Sequence, residues 1–174
     1  MRVHLVTVGA GHSIPARVLR HVARAAMRAT GCAPQAEVEV ALVDDATIAR
    51  LNRRFLGHRG PTDVLTFPAG AGDDRPVIGE IVVSVERARD QARRYGHPVG
   101  REVALLVAHG VLHLRGHDDR TPADAAGMHA QAEKILAQVF AAHPRKARTR
   151  KARTHSARTR DARTRGAHPR GAGR

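Results

Sequence analysis

A single cysteine, Cys32, stands in the 174 residues of this chain. No intrachain disulfide can form, and a metal site built from cysteine thiolates is excluded with it. Tryptophan is absent, and there are only one tyrosine and three phenylalanines. That leaves little for stacking bases, so any nucleic acid would be held mainly through phosphates and shape. No apolar run approaches the roughly 20 residues that a membrane-spanning helix needs. The first residues enter an alternating stretch directly, without the charged-then-apolar layout of a signal peptide. A cytoplasmic protein with no membrane partner is expected.

Acidic residues are scarce in one region above all. From Arg145 to Arg174, twelve lysines and arginines face one acid, Asp161, and this stretch carries most of the formal charge of +14. It repeats Ala-Arg-Thr-Arg at 147–150, 157–160 and 162–165 and has no large apolar side chain. Burial cannot offset its chain entropy, so residues 145–174 are expected to form a disordered basic tail. Residues 1–144 are only mildly basic and suffice for one domain with a real core.

Within that domain, apolar residues alternate over Arg2–Val8 and Glu37–Val43, as in half-buried strands. Thr62–Phe67, stopped by Pro68, and Ile78–Val83 are two further strands. Ser13 is placed to cap a first helix with Pro15 in its first turn, and Gly31 ends it. Asp44 or Asp45 can cap a second helix through Phe55. Helices are expected over Val85–Tyr95 and Val99–Leu114, and a last one after Thr121-Pro-Ala-Asp124, ending near Pro144. About four strands gathered early and five helices placed mostly late suggest an α+β domain, with helices packed over a small mixed sheet.

His109 and His113 stand four apart in a strongly apolar helical segment, so their imidazoles lie on one face and can share a metal ion. Twelve histidines in the chain make such a pair unremarkable by itself. What strengthens it is Gly116, which can end the helix in a left-handed turn and return the chain toward the pair. Asp119, His117 and Asp118 all come within reach as a third ligand, with Asp119 best spaced. Three protein ligands leave a fourth position for water, the pattern of a catalytic zinc site at the end of a helix. The other histidines lack such company and are expected to be surface or incidental.

The full segment, His109-Gly-Val-Leu-His113-Leu-Arg-Gly116-His-Asp-Asp119, resembles the signature of the bacterial YbeY family of endoribonucleases and rRNA maturation factors. The usual family form ends in a third histidine where this chain has Asp119. Asn52-Arg-Arg-Phe55, Pro61-Thr-Asp-Val-Leu-Thr-Phe-Pro68 and Gly79-Glu-Ile-Val-Val83 are similar to other elements of the family, in its order. The resemblance covers roughly residues 37–140. It implies one zinc per chain, held by His109, His113 and Asp119, and cleavage of single-stranded RNA. It further implies work on ribosomal RNA precursors, including the 3′ end of the small-subunit RNA, and in ribosome quality control. RNA, not DNA, is the implied partner. The family commonly carries an arginine after the aromatic of its Asn-x-x-Tyr/Phe element, where this chain has Leu56. Arg53, Arg54, His58 or Arg59 can stand in for it, Arg59 best placed in the loop before Thr62.

Two rival functions stay open at this level. Zinc-peptidase helices of this spacing carry a glutamate general base directly after the first histidine. Here that residue is Gly110, which can neither take nor give a proton, and Glu102 lies well upstream. Peptide hydrolysis is disfavoured on that ground. The other rival is a non-catalytic RNA-binding assembly factor with a structural metal. Phosphodiester cleavage tolerates the missing glutamate better, because a metal can neutralise charge on the transferring phosphorus while nearby cations hold the backbone. Either water or the RNA 2′-hydroxyl can then be the nucleophile.

Overall fold

In the computed structural model, residues 1–9, 14–70 and 76–142 are described. All of them belong to one compact unit, Met1–Pro144. Ser13, most of the loop after Pro68 and the basic tail lie outside the described residues.

The period-2 stretches become four strands: β1 (Arg2–Val8), β2 (Glu37–Val43), β3 (Val64–Pro68) and β4 (Val77–Ser84). They form a mixed sheet in the order β1-β2-β4-β3, with β1, β2 and β4 parallel and β3 antiparallel to β4. Pro68 ends β3, an edge strand, where its missing N–H costs no ladder bond. The alternation of β4 divides the core. Ile81 and Val83 join Val38, Val40 and Leu42 on one face, while Val82 joins Val43, Ile48 and Leu65 on the other.

Five helices accompany the sheet among the described residues: α1 (Ala16–Ala29), α2 (Asp45–Leu56), α3 (Val85–Tyr95), α4 (Val99–Leu114) and α5 (Pro122–Ala142). Pro15 occupies the N-cap of α1 and is not within its first turn. Asp44, not Asp45, caps α2 by accepting from the Thr47 N–H at 2.7 Å. Asp45 instead accepts from the Ser84 hydroxyl at 2.5 Å and from the Arg87 guanidinium, tying the start of α2 to the start of α3. The Thr121 hydroxyl accepts from the Asp124 N–H, as its motif predicts. Helix α2 covers the smaller apolar cluster. Helices α1 and α5 pack on α4 on the other side, so α4 is enclosed by sheet and helices alike.

Two glycines allow close approaches inside the core. Gly110 of α4 lies against Ile81 of β4, where a Cβ would come 2.6 Å from Ile81 Cγ2. Gly79 of β4 has φ +146°, and a Cβ there would meet the Phe67 carbonyl oxygen at 2.5 Å and Leu114 Cδ2 at 2.7 Å. The glycine of the Gly-Glu-Ile element is therefore the point where β3, β4 and the end of α4 converge. Gly79→Ala combines backbone strain with overpacking and is expected to cost about 3 kcal/mol. A fall in the urea midpoint without loss of two-state unfolding checks this.

Candidate metal centre

Helix α4 is apolar nearly all round, which is why it can run through the middle of the core. From Glu102 to Leu114 every residue is buried except His109 and His113. The two imidazoles are thus the only openings in this stretch of a helix otherwise sealed by packing. Their rings lie 5.1 Å apart at 68°.

The turn after α4 brings in the third donor. The His117 N–H donates to the Leu112 carbonyl and the Gly116 N–H to the His113 carbonyl, with Gly116 at φ +83°. That is the left-handed helix end expected of Gly116. It places Asp119 Oδ2 3.6 Å from His113 Nε2, and one donor atom from each of His109, His113 and Asp119 lies within 4.8 Å of the others. Ligand atoms about 2.0–2.2 Å from a tetrahedral ion stand roughly 3.4 Å apart, so the His113–Asp119 pair is already near that spacing and the triad closes on a metal by side-chain movements of about 1 Å.

The other two acids and bases of the turn are differently engaged. Asp118 is bound to the Arg120 guanidinium and accepts from the Asp119 N–H at 2.8 Å. His117 contributes its backbone carbonyl, which accepts from His113 Nδ1 at 3.2 Å. A carbonyl can only accept, so Nδ1 carries the proton and Nε2 keeps the free lone pair that faces Asp119. Burial, and next the neighbouring His113, push the pKa of His109 below the ordinary imidazole value. The ring is therefore held neutral, the form that ligates.

The triad sits at one end of a cleft of about 620 Å³ walled by the start of β3, by α3, α4 and α5. Asp63 is fastened there: its carboxylate accepts from the Val64 N–H at 2.8 Å and from Gln91 Nε2 at 2.8 Å. The loop delivering it is pinned by buried Asn52, whose Nδ2 donates to the Gly60 carbonyl at 2.9 Å. Phe55 packs edge-on against Phe67 at 5.1 Å. The Asn-x-x-Phe and Thr-Asp elements thus have a shared task, which is to set the cleft wall opposite the histidines.

Several cleft residues escaped sequence reasoning. Arg59 is exposed in its loop and is not among the residues lining the cleft, nor are Arg53, Arg54 and His58. The arginine that does line it is Arg101, held by Glu133 at 2.6 Å. His97 and His129, expected to be incidental, also face the cleft. Glu102, 3% exposed, lies there with its Oε2 2.9 Å from His97 Nε2. Burial raises its pKa, against the pull of His97 and Arg101. Glu102 did leave a trace in the sequence: it is a charged residue two turns before His109 on the same face of an apolar helix. Nothing local marked His97 or His129.

Residues 12–140 match the family model of endoribonuclease YbeY.

The chain belongs to the YbeY family.

Its similarity to named YbeY proteins extends over most of their length. The endoribonuclease YbeY of Moorella thermoacetica is 47% identical over 131 residues, covering 70% of this chain and 84% of the relative. That of Symbiobacterium thermophilum is 45% identical over 130 residues, covering 69% and 83%. The solution structure of TM1509 from Thermotoga maritima aligns with a TM-score of 0.56 at 28% identity, over 80% of this chain and 90% of that one.

Proposed function

We propose that this protein is a zinc-dependent endoribonuclease of single-stranded RNA that matures ribosomal RNA, including the 3′ end of the small-subunit RNA, and serves ribosome quality control. Its YbeY relatives are named endoribonucleases. The observation that carries the reading for this chain is the pairing of His109 and His113, the only openings of α4 between Glu102 and Leu114, with Asp119 folded back onto them. Two imidazoles and a carboxylate form a donor set suited to zinc and leave a position for a further ligand. When bound there, zinc supplies charge stabilisation at phosphorus and lowers the pKa of water to about 7.

The chain's own residues do the rest. The His117 carbonyl fixes the tautomer of His113, and burial keeps His109 neutral. The cleft between Asp63 and α4 holds the strand against the triad. No helix among the described residues is long and apolar enough to cross a membrane, so no membrane partner enters this reading. Residues 1–144 form the nuclease domain. The tail from Arg145, by its charge, adds non-specific affinity for RNA that weakens steeply with salt.

Cleavage of a labelled single-stranded RNA by the full chain and by a chain ending at Pro144 tests this, each with zinc and with chelator. Both chains should cut with zinc and neither with chelator, while removal of the tail lowers affinity and flattens its salt dependence. RNA binding by the full chain with no cleavage by either would favour the non-catalytic assembly factor instead.

A further inference from the structure

The cleft continues past the triad, and its far end is built differently from its mouth. Besides Asp119 of the triad, three acids line the cleft: Asp63, Glu102 and Glu133. Asp63 accepts from the Val64 N–H, the Thr62 hydroxyl and Gln91, and Glu133 is taken by Arg101. Glu102 is the exception. Its side chain is 4% exposed, and its Oε2 lies 2.9 Å from His97 Nε2 without the alignment of a hydrogen bond. His97 Nδ1 is also buried without a partner. A buried carboxylate with unused acceptor capacity is costly unless something else fills it.

Its position suggests what does. Glu102 precedes His109 by seven residues on one helix, about 10 Å along the axis at 1.5 Å per residue. That is the scale of one nucleotide from its phosphate to the far edge of its base. At the rim stands the only tyrosine of the chain, Tyr95, which lines the cleft and is 64% exposed. Its ring is stacked with that of His97, at 19° and 6.2 Å between centroids, which sets an exposed aromatic ring beside the carboxylate's imidazole neighbour.

We propose that this end of the cleft is a nucleobase subsite, in which Glu102 reads the edge of a guanine beside the phosphate held at the triad. An ionised carboxylate accepts from two parallel donors, and guanine presents such a pair in N1–H and the exocyclic N2 amino group. Uracil offers one N–H between two carbonyl oxygens that a carboxylate repels. Adenine and cytosine place an acceptor beside their amino group. His97 supports the carboxylate, and the exposed Tyr95 ring stacks on the base. The inference rests on the reading of the triad as a phosphate-binding metal site. It adds base selection to a cleft whose aromatic-poor composition had pointed to none.

Mononucleotides test it without any bond being cut. Isothermal titration of the full chain, supplied with one equivalent of zinc, compares guanosine, inosine and uridine 5′-monophosphates. Inosine differs from guanosine only by the missing 2-amino group. Guanosine monophosphate should bind about tenfold more tightly than either of the others, as loss of one donor to a buried acceptor requires. Glu102→Gln should erase that ratio by weakening the binding of guanosine monophosphate. Equal affinities for the three nucleotides in the unsubstituted chain, or no binding of any, would overturn the subsite, and this arm does not depend on the variant folding. RNA cleavage measured on the same preparation separates the two readings. Cutting without guanine preference removes the subsite and leaves the nuclease; preference without cutting does the reverse.

Discussion

His113→Ala is expected to leave a folded protein that holds no zinc and cuts no RNA. The side chain supplies the Nε2 that lies 3.6 Å from Asp119 Oδ2, and its Nδ1–H is committed to the His117 carbonyl. Alanine removes the central donor of the three, and His109 with Asp119 alone make a weak site. Metal catalysis is worth several kcal/mol at the transition state, so cleavage should fall by about 10³-fold or more. Folding should survive, because His113 is part-exposed in a helix held by its buried neighbours. Elemental analysis should give about one zinc per chain before the substitution and none after, with urea midpoints close together. Cleavage at the original rate by metal-free His113→Ala would sink the mechanism.

The second large effect concerns Gly110. Glutamate at this position would complete the peptidase pattern on paper, yet Gly110→Glu is expected to unfold the protein and confer no peptidase activity. A Cβ at residue 110 points at Ile81, 2.6 Å from Cγ2, 3.0 Å from Cδ1 and 3.1 Å from Cγ1. Ile81 is fully buried and β-branched, with little freedom to give way. Overpacking costs about 1–3 kcal/mol, and a carboxylate forced into that apolar contact adds several more. The gain in helix propensity over glycine, about 1 kcal/mol, is too small to compensate. The total rivals the 5–15 kcal/mol stability of an ordinary domain. Circular dichroism and a casein assay check both halves. A folded Gly110→Glu variant that hydrolysed peptides would overturn the placement of residue 110 against the sheet.

The same contact sharpens the argument about peptides. From sequence, Gly110 merely lacked a proton-transferring group. In the folded chain its position faces β4, away from the histidine pair, so the α4–β4 packing leaves no room for such a group. Among the cations, loop position favoured Arg59; Asn52 and Gly60 hold that loop with Arg59 exposed, and Arg101 of α4 is the arginine that lines the cleft.

The elements themselves were legible because each depends on near neighbours. Alternation marked β1 and β2, caps marked α2 and α5, and the apolar helix with a left-handed glycine marked both the two histidines and the return of the chain toward them. These are periodicities and turn preferences that act within a few residues, and the sequence by itself determined them. Tertiary structure decided what depends on distant segments meeting. It set Asp119 Oδ2 3.6 Å from His113 Nε2, while Arg120 engages Asp118. It also brought His97, from the link between α3 and α4, against Glu102, and His129 of α5 into the same cleft. No local pattern encodes such meetings, because they follow from how helices stack over a sheet, and that stacking turns on close contacts such as those at Gly79 and Gly110.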